Sequence, residues 1–371
     1  MAKYFLVAGE ASGDLHGANL IKAIKAKDPQ ADIQFYGGEK MQAQGGVLLK
    51  HYADMAFMGF TEVLMNLRTI FKNMDKCKND IVAFAPDVLV LIDFPGFNLK
   101  IAEFAKKKGI KTCYYISPKV WAWNQKRVLK IKRIVDRMLC ILPFEVDFYK
   151  EWGYAVDYVG NPLMDEIEAF KKDPHFADKH KINKPIIALL PGSRKQEIER
   201  LLPEMLKLVE HYPTYEFVIS GAPSFEPSYY DQFINGKPIK LVFNNTYNLV
   251  ASADAAIVAS GTATLETALL KTPQIVVYKG GAISIAIARM VVKIRFISLV
   301  NLIVDRKIVT ELIQQDFNLA NTTEELDLIL QGAGRKQMLD DYEALAQRVG
   351  PAGASERAAN IIVRAALNIS I

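Results

Sequence analysis

The sequence predicts an α/β protein built from two doubly wound domains with parallel sheets, and three observations support this. A strand–turn–helix series begins near Tyr4, and a second series begins near Lys184. The run 87–92 is almost continuously apolar, which is typical of a parallel strand covered on both faces. The length of 371 residues also favours two domains over one.

The first half opens with a strand at 4–8, a glycine-containing turn at 9–14 and a helix at 15–27. Short apolar runs then alternate with helically spaced segments, as expected for βαβ units. Further strands are predicted at 32–36, 87–92 and 111–116, and further helical stretches at 64–84 and 101–108.

The second half repeats this order from a strand at 185–190, through a turn at 191–194, to a helix at 197–210. Later strands are predicted at 216–220, 240–243, 255–259 and 274–278. The stretch 338–371 is predicted to form two helices, interrupted by the Gly- and Pro-containing residues 350–353.

The stretch 161–183 has few apolar residues and contains Asn161-Pro162, which indicates a linker. We therefore expect one domain at 1–165 and a second domain at 166–349. The C-terminal helices near 350–371 are expected to complete the first domain.

Composition and charge exclude several classes of protein. The 46 basic and 41 acidic residues leave a net charge of +5, which suits an anionic substrate or membrane face and gives no indication of nucleic-acid binding. Cys77, Cys113 and Cys140 show no metal-ligand spacing, as expected of buried cysteines in a reducing compartment. The N-terminus enters the first strand without the features of a signal peptide, so we expect a cytoplasmic protein.

The tract 282–304 is apolar and about the length of a membrane span, but Arg289, Lys293 and Arg295 interrupt it. Charges at the centre of a bilayer cost several kcal/mol, so a transmembrane helix is not expected. Arg289 and Lys293 would share one helical face. Two alternatives stay open: a helix packed on the second sheet, or a basic amphipathic segment on an anionic bilayer.

Ligands of open parallel sheets bind at the carboxyl ends of the strands, and in the first half two places qualify. In the turn 9–14, glycines allow close backbone approach to an anion, although Asp14 could instead cap the following helix. Asp93 follows the most apolar strand, where partial desolvation raises a carboxyl pKa and suits it to general-base chemistry. The alternative is that Asp93 caps the next helix.

Two further places lie in the second half. The turn Pro191-Gly192-Ser193-Arg194 offers backbone amides and a guanidinium that can bind phosphate oxygens, unless it is a surface turn with a solvated arginine. In the stretch 260–266, small hydroxylated residues open a helix whose N-terminus can hold a diphosphate. Glu266, one turn later, can accept hydrogen bonds from two ribose hydroxyls.

Dehydrogenase chemistry is disfavoured, because the first turn is not GxGxxG and no acidic residue ends the strand at 33–36. No Asp-x-Asp pair stands at a strand end to bridge a metal ion and a diphosphate. We therefore expect a reaction without a metal or another cofactor, in which Arg194, backbone amides and a helix dipole meet the charge of the leaving group.

Seven short stretches follow one another along residues 4–315, and their joint occurrence in this order is informative: VAGEASGD (7–14), MGFTEVL (58–64), IDFPGFN (92–98), YISPKVWAW (115–123), LLPGSR (189–194), ASGTATLE (259–266) and ISLVNLI (297–303). Each is modest alone, but together they are specific. The chain thereby resembles the bacterial lipid-A-disaccharide synthase family, which has the glycosyltransferase-B fold. The resemblance implies two Rossmann-like domains that face a central cleft.

This resemblance implies an inverting transfer that joins UDP-2,3-diacylglucosamine to 2,3-diacylglucosamine 1-phosphate (lipid X). The products would be the β-1,6-linked disaccharide 1-phosphate and UDP, with the acceptor on the N-terminal domain and the UDP-sugar on the C-terminal domain. It also implies a homodimer with exchanged C-terminal segments, attached peripherally to the cytoplasmic face of the inner membrane. Since both substrates carry acyl chains, the helically spaced apolar stretch 56–67 is either core or an acyl-binding groove.

Site residues follow from the same resemblance. The catalytic residues would be Asp93, as base for the acceptor 6-hydroxyl, together with Arg194 and Asn301. The UDP-sugar site would comprise Gly192, Ser193, Arg194, Ser260, Gly261, Thr262, Ala263, Thr264, Glu266, Asn301 and Arg306. The acceptor site would comprise Glu10, Ser12, Gly13, Asp14, Met58, Glu62 and Trp123.

The sequence departs from the family pattern at three positions close to these residues. Gly96 stands where many members have Asp, which removes any help that a second carboxylate gives the base. Val300 replaces the usual Pro before Asn301, and Asp305 replaces a Gly before Arg306.

Two alternatives of other kinds remain. Another glycosyltransferase-B enzyme, such as a UDP-sugar lipid transferase or a UDP-N-acetylglucosamine 2-epimerase, would share the fold, but an epimerase should carry more acid and base residues in its second domain. A non-catalytic nucleotide-sugar- or lipid-binding protein would show no turnover, with or without the Asp93 carboxylate.

Overall fold

The computed structural model describes residues 2–55, 66–281 and 295–369, which form two compact units. The first unit comprises Met1–Asp165 and Pro351–Ile371, and the second comprises Glu166–Gly350. The chain leaves the first unit between Asp165 and Glu166, within the stretch 161–183. It returns between Gly350 and Pro351.

The first unit contains a seven-stranded sheet in the order β3-β2-β1-β4-β5-β6-β7, with parallel neighbours throughout. Its strands are β1 (Lys3–Ala8), β2 (Asp32–Gly37), β3 (Val47–His51), β4 (Val88–Ile92), β5 (Lys111–Tyr115), β6 (Arg137–Cys140) and β7 (Asp157–Tyr158). Its helices are α1 (Ala11–Lys27), α2 (Glu39–Ala43), α3 (Leu67–Phe84), α4 (Pro95–Lys107), α5 (Val120–Trp123), α6 (Val128–Ile134) and α7 (Pro143–Glu151). Helix α8 (Leu163–Ala169) contains the point at which the chain passes from the first unit to the second.

The second unit contains a six-stranded parallel sheet in the order β10-β9-β8-β11-β12-β13. Its strands are β8 (Ile186–Leu190), β9 (Glu216–Gly221), β10 (Ile239–Phe243), β11 (Ala255–Ala259), β12 (Gln274–Tyr278) and β13 (Thr310–Ile313). Its helices are α9 (Phe176–Lys179), α10 (Lys195–Met205), α11 (Ser228–Ile234), α12 (Thr246–Ser252), α13 (Thr262–Leu269), α14 (Leu299–Val304), α15 (Leu319–Leu330) and α16 (Gly332–Val349). Helix α17 (Ala354–Ala366) follows the return to the first unit.

Alternate side chains of strand β1 pack on opposite faces of the first sheet, as the two-residue period of a strand requires. Tyr4, Leu6 and Ala8 belong to the cluster beside α1 and α17, whereas Phe5 and Val7 belong to the cluster beside α3, α4 and α6. All five are fully buried. Cover on both faces explains why the central strands are almost continuously apolar.

Helix α17 completes the first unit although it is last in the sequence. Its residues Ala358, Ala359 and Ile362 are fully buried in the cluster that also contains Leu20 and Ile24 of α1. Removing this helix would therefore expose one apolar face of the first sheet and of α1.

Within the first unit, hydrogen bonds join the segment that leads out to the second unit with the segment that returns from it. The guanidinium of Arg357 donates to the carbonyls of Val159 (2.7 Å) and Pro351 (3.0 Å), which lie on the outgoing and the returning segment. The Asp165 carboxylate accepts a hydrogen bond from the Gly353 N–H. The point at which the chain leaves this unit is thus fixed to the point at which it returns.

Four strands lie where the sequence predicted none: β3, β6, β7 and β13. Three of them are sheet edges and the fourth is next to an edge. The three edge strands are only partly covered, so they lack the long apolar runs that revealed the central strands. Strand β6 has the fully buried apolar residues Met138, Leu139 and Cys140 and was simply missed.

Several predicted helix boundaries were wrong, including the start of α16 at Gly332 rather than at 338. Helix α1 begins at Ala11 rather than at 15. Helix α4 begins at Pro95 rather than at 101, because proline suits the first position of a helix. Helix α10 ends at Met205 and continues as a 3₁₀ segment, Leu206–His211, instead of running to 210. Pro203 in its last turn removes one intrahelical hydrogen bond.

The apolar tract 282–304 is only partly described. Residues 282–294 lie outside the described ranges, whereas Val300 and Ile303 of α14 are buried in the second unit. In the part of the chain that the structure describes, no helix combines the length and the hydropathy needed to cross a membrane.

Asp14 caps a neighbouring helix rather than its own. Its carboxylate accepts hydrogen bonds from the N–H groups of Gly38 (2.7 Å), Lys40 (3.1 Å) and Met41 (3.2 Å), at the start of α2. Asp14 is only 2% exposed and both of its oxygens are engaged. These contacts give the Asp14 carboxylate a structural role, and its expected role in acceptor binding stays a prediction.

The substitution Asp14→Ala should lower the free energy of unfolding by about 2–4 kcal/mol, because it leaves buried N–H groups without an acceptor. Urea denaturation followed by circular dichroism measures the change. The control is Asp32→Ala, at the partly exposed start of β2, for which a change within about 0.5 kcal/mol is expected. Equal effects of the two substitutions would contradict the capping role.

Candidate active site

Two candidate positions of the first unit lie side by side at the carboxyl edge of its sheet. Strands β1 and β4 pair in parallel with Ala8 opposite Ile92, so Gly9 and Asp93 follow neighbouring strand ends. The ring of Phe94 occupies the space where a Cβ of residue 9 would lie. Glycine is therefore required at position 9 for the turn after β4 to pack against the turn after β1.

The backbone at Asp93 is strained and firmly anchored. Asp93 (φ 44°) and Phe94 (φ 49°) both adopt the left-handed region, which residues other than glycine rarely do. The Asp93 carbonyl accepts hydrogen bonds from Tyr114 Oη (2.6 Å) and Asn98 Nδ2 (2.8 Å). The Asp93 N–H donates to the Tyr115 carbonyl (3.0 Å). Both peptide groups of this residue are thus fixed in direction.

The Asp93 side chain is not used to cap helix α4. The residue at the N-cap position is Phe94, and no side chain caps that helix. Burial raises the pKa of the Asp93 carboxyl above its ordinary value, the Lys119 ammonium lowers it, and the Glu10 carboxylate raises it. A partly desolvated carboxylate of raised pKa is a stronger base than a solvated one.

The remaining acceptor-site candidates differ in their surroundings. Ser12 is exposed in the first turn of α1, whereas Gly13 is buried, and a Cβ there would lie 3.2 Å from the Ala8 side chain. Trp123 is 49% exposed, and the Arg127 guanidinium lies 5.4 Å from the centre of its ring. Two further candidates, Met58 and Glu62, lie outside the described residues.

The two candidate positions of the second unit also share a sheet edge. Strands β8 and β11 are neighbours, with Leu190 opposite Val258. The turn 191–194 and the start of helix α13 therefore emerge next to each other, as the sheet topology requires.

In the turn 191–194, a carboxylate already occupies the backbone donors. Glu197 Oε2 accepts hydrogen bonds from the N–H groups of Ser193 (3.2 Å) and Arg194 (3.4 Å), and Glu197 Oε1 pairs with Arg194 Nη1 (3.2 Å). Gly192 has a φ of 99°, and a Cβ on it would overlap Glu197. The turn binds a carboxylate from its own helix, and its Arg194 side chain is 71% exposed.

Two hydroxyls of the stretch 260–266 hold the turn rather than face outward. Ser260 Oγ donates to the Ile297 carbonyl (2.9 Å), and Thr264 Oγ1 donates to the Gly261 carbonyl (2.7 Å). Thr264 is fully buried, and its expected place in the donor site stays a prediction. Gly261 and Thr262 are exposed at the N-terminus of α13, and Ala263 is half-buried.

Glu266 lines a cavity of about 480 Å³ in the second unit. The other lining residues are mostly polar and include two aromatic rings: Glu166, Phe170, Asn244, Asn245, Thr246, Tyr247 and Asn248. Burial, together with the nearby carboxylate of Glu166, raises the pKa of Glu266 to about 7. Tyr247 Oη donates to Glu166 (3.2 Å). Such a cavity can accept hydrogen bonds from hydroxyl groups and pack against a planar ring.

Asn301 is fully buried, and all four hydrogen-bonding positions of its amide are engaged. Its Oδ1 accepts from the N–H groups of Ile308 (2.8 Å) and Val309 (3.0 Å). Its Nδ2 donates to the Val309 carbonyl (2.9 Å) and to Glu311 Oε1 (2.9 Å). The amide thus fixes the loop between α14 and β13, and the expected catalytic and donor-binding roles of Asn301 stay predictions.

Arg306 lies in the loop that Asn301 holds. Its guanidinium pairs with Asp341 of α16, and half of the side chain is exposed. A phosphate contact therefore stays a prediction for this residue.

Across the described ranges, no three His, Cys, Asp or Glu side chains are grouped as a metal site. Cys77, Cys113 and Cys140 are free and buried, and burial raises the pKa of each thiol.

Five residues near these positions were missed by the sequence analysis: Asn98, Tyr114, Lys119, Glu166 and Glu197. Asn98 and Lys119 fall inside the stretches 92–98 and 115–123, but residue order does not show what they contact. A tyrosine in an apolar strand is expected to be core, and a glutamate in a linker or a first helical turn is expected to be solvated. The groups that these residues contact or influence lie in distant parts of the chain or are brought close by turn geometry.

A family model described as Lipid-A-disaccharide synthetase matches residues 4–362, nearly the whole chain. The protein belongs to this family. The lipid-A-disaccharide synthase of Syntrophus aciditrophicus is 43% identical over 366 residues, or 95% of each chain. That of Myxococcus xanthus is 38% identical over 370 residues, or 97% of each chain. Family membership confirms the resemblance predicted from the seven stretches.

Solved structures confirm the predicted fold class of two Rossmann-like α/β domains. The S. aureus MnaA–UDP structure matches with a TM-score of 0.68 at 13% identity, over 100% of this chain and 98% of that one. A UDP-GlcNAc 2-epimerase from Neisseria meningitidis, bound to UDP-GlcNAc, matches at 0.59 and 14% identity, over 99% and 100%. The glycotransferase of kitacinnamycin matches at 0.66 and 11% identity, over 98% and 99%. The lipid-A-disaccharide synthetase family thus shares its fold with epimerases and glycosyltransferases.

Proposed function

We propose that the protein joins UDP-2,3-diacylglucosamine to lipid X, forming the β-1,6-linked disaccharide 1-phosphate and UDP. The observation that carries this proposal is the Asp93 carboxyl, which has a raised pKa and is held at the carboxyl edge of a buried parallel sheet. Membership of the lipid-A-disaccharide synthetase family favours this reaction over that of the epimerases of similar fold.

A single displacement inverts the donor carbon and needs one base. The Asp93 carboxylate takes the proton of the acceptor 6-hydroxyl. At the same time, the oxygen of that hydroxyl forms a bond to C1 of the donor sugar. The bond from C1 to the diphosphate breaks, and the electron pair leaves with UDP. The Lys119 ammonium opposes the effect of burial on the pKa of Asp93, and so favours the ionised carboxylate that acts as the base.

The second unit would hold the UDP part of the donor. The backbone amides of Ser193 and Arg194, the Arg194 guanidinium and the exposed start of α13 can meet the two phosphates. A diphosphate at the turn 191–194 would take the donors that Glu197 now occupies. The cavity beside Glu266 would take the nucleoside, with the carboxylate accepting hydrogen bonds from the ribose hydroxyls.

We also propose that the protein is a homodimer. Because both substrates carry acyl chains, we propose that it works at the cytoplasmic face of the inner membrane, to which it attaches peripherally. The segment 126–133 carries five basic residues and no acidic one: Lys126, Arg127, Lys130, Lys132 and Arg133. Leu129 within it is 59% exposed. A basic surface with an exposed apolar side chain suits anionic lipid headgroups. The basic tract 282–304 would add to this attraction.

The native protein, incubated with UDP-2,3-diacylglucosamine and lipid X, should release UDP and the disaccharide 1-phosphate. Asp93→Asn should slow this turnover at least about 100-fold, because the amide cannot take the proton. Binding of UDP, measured by calorimetry, should stay unchanged because its groups lie in the second unit. The control is Asp87→Asn, at the opposite end of strand β4, which should keep full turnover.

Each alternative gives its own result in this experiment. Conversion of UDP-N-acetylglucosamine to its 2-epimer, with no disaccharide, would indicate an epimerase. UDP binding without turnover of any of these substrates would indicate a binding protein. Full turnover by Asp93→Asn would remove Asp93 as the base.

Uridine should bind more tightly as the pH rises from about 6 to about 8, with a gain of up to about ten-fold. The pKa of Glu266 is raised to about 7, so its carboxylate loses a proton over this interval and becomes a better acceptor for ribose hydroxyls. Uridine is used because it carries no phosphate, and Glu166 and Tyr247 are the other titratable groups of the cavity. Glu266→Gln should bind uridine weakly and without this pH dependence. Equal affinity of the native protein at both pH values would contradict the assignment.

Membrane attachment is tested by pelleting with liposomes that contain anionic phospholipid. Arg289→Glu with Lys293→Glu, and separately Lys132→Glu with Arg133→Glu, should each lower the bound fraction, because reversed charges are repelled. Lys22→Glu with Lys171→Glu makes the same change in net charge at exposed positions elsewhere and should leave more protein bound. Unchanged pelleting of both test variants would contradict the proposal.

A further inference from the structure

The turn after strand β4 stores backbone strain at the residue that we propose as the base. Asp93 and Phe94 are consecutive non-glycine residues with positive φ, at 44° and 49°. Such a backbone conformation costs free energy and persists only where the surroundings of the residue hold it. The contacts that hold these two residues therefore decide where the Asp93 carboxylate points.

Two buried side chains hold the Asp93 carbonyl. Tyr114 Oη donates to it from the neighbouring strand β5 at 2.6 Å, and Asn98 Nδ2 donates to it from the first turn of α4 at 2.8 Å. Asn98 Nδ2 also lies 3.2 Å from the Ile92 carbonyl and 3.3 Å from the Val7 carbonyl. Tyr114 and Asn98 are both 0% exposed.

The other side of the turn is fixed by packing. The Phe94 ring fills the space above Gly9 and stacks on the Phe97 ring, with 5.7 Å between their centres. The Asp93 N–H is bonded to the Tyr115 carbonyl. With the N–H, the carbonyl and the following residue all anchored, the Cα–Cβ bond of Asp93 has one direction.

We infer that Tyr114 and Asn98 are positioning residues for Asp93, acting through its carbonyl to aim the carboxylate at the acceptor hydroxyl. The inference rests on the proposed function of Asp93 as the base. Tyr114 cannot itself touch the substrate, because its hydroxyl is buried on the Asp93 carbonyl. A phenylalanine would fill the same space within the core, and the phenol adds one hydrogen bond to the strained residue.

The test is Tyr114→Phe, which removes the hydroxyl and keeps the ring. Turnover should fall about ten-fold with the KM for the UDP-sugar unchanged, because a misaimed base slows the reaction and leaves donor binding intact. The control is Tyr154→Phe, which removes another buried hydroxyl of the same unit, bonded to the Val135 carbonyl at 3.1 Å. It should keep native turnover at temperatures where both variants are folded by circular dichroism.

A double-mutant cycle separates positioning from a structural role. In the Asp93→Asn background, adding Tyr114→Phe should leave the residual rate unchanged, because the hydroxyl acts only through the Asp93 carboxylate. A merely structural role would lower the rate by the same factor in both backgrounds. That result, or native turnover in Tyr114→Phe alone, would overturn the inference.

The outcome for Asp93 is read separately. A native rate in Asp93→Asn would remove the base and the positioning role together. A slow Asp93→Asn with a fast Tyr114→Phe would remove the positioning role alone and leave the proposed function standing.

Discussion

Parallel pairing of buried central strands is the constraint on which both candidate sites depend. In the first unit the pairing of β1 with β4 places Gly9 beside Asp93, and in the second unit the pairing of β8 with β11 places the turn 191–194 beside the start of α13. Because the strands are covered on both faces, polar groups can reach solvent only where the strands end. The candidate site residues therefore lie at two sheet edges.

Buried polar side chains then fix the loops that these edges carry. Asp14, Asn301 and Glu197 each accept hydrogen bonds from backbone N–H groups of a neighbouring turn. An unpaired backbone group in such a place would cost free energy comparable to a lost hydrogen bond. The loops at the two sheet edges therefore depend on these carboxylates and on this amide for their shape.

The sequence was informative wherever one residue determines its own surroundings. The central strands, the two-unit organisation and the position of Asp93 at a strand end all follow from apolar periodicity, which is a local signal. The roles of Asp14 and Asn301 could not be predicted, because an acidic or amide residue in a turn has the same pattern whether it faces a ligand or a backbone amide. Tyr114 is the opposite case, since its position in an apolar strand predicts a core residue and does not reveal that its hydroxyl donates to the Asp93 carbonyl.

The placement of α17 has a consequence for the order in which the molecule is made. The ribosome synthesises the first unit before the second, yet the helix that covers one face of the first sheet and of α1 comes last. Ala358, Ala359 and Ile362 are available to that face only after the whole second unit has been translated. The N-terminal unit is therefore first to emerge and last to be completed, and it exposes apolar surface throughout translation of the unit that follows.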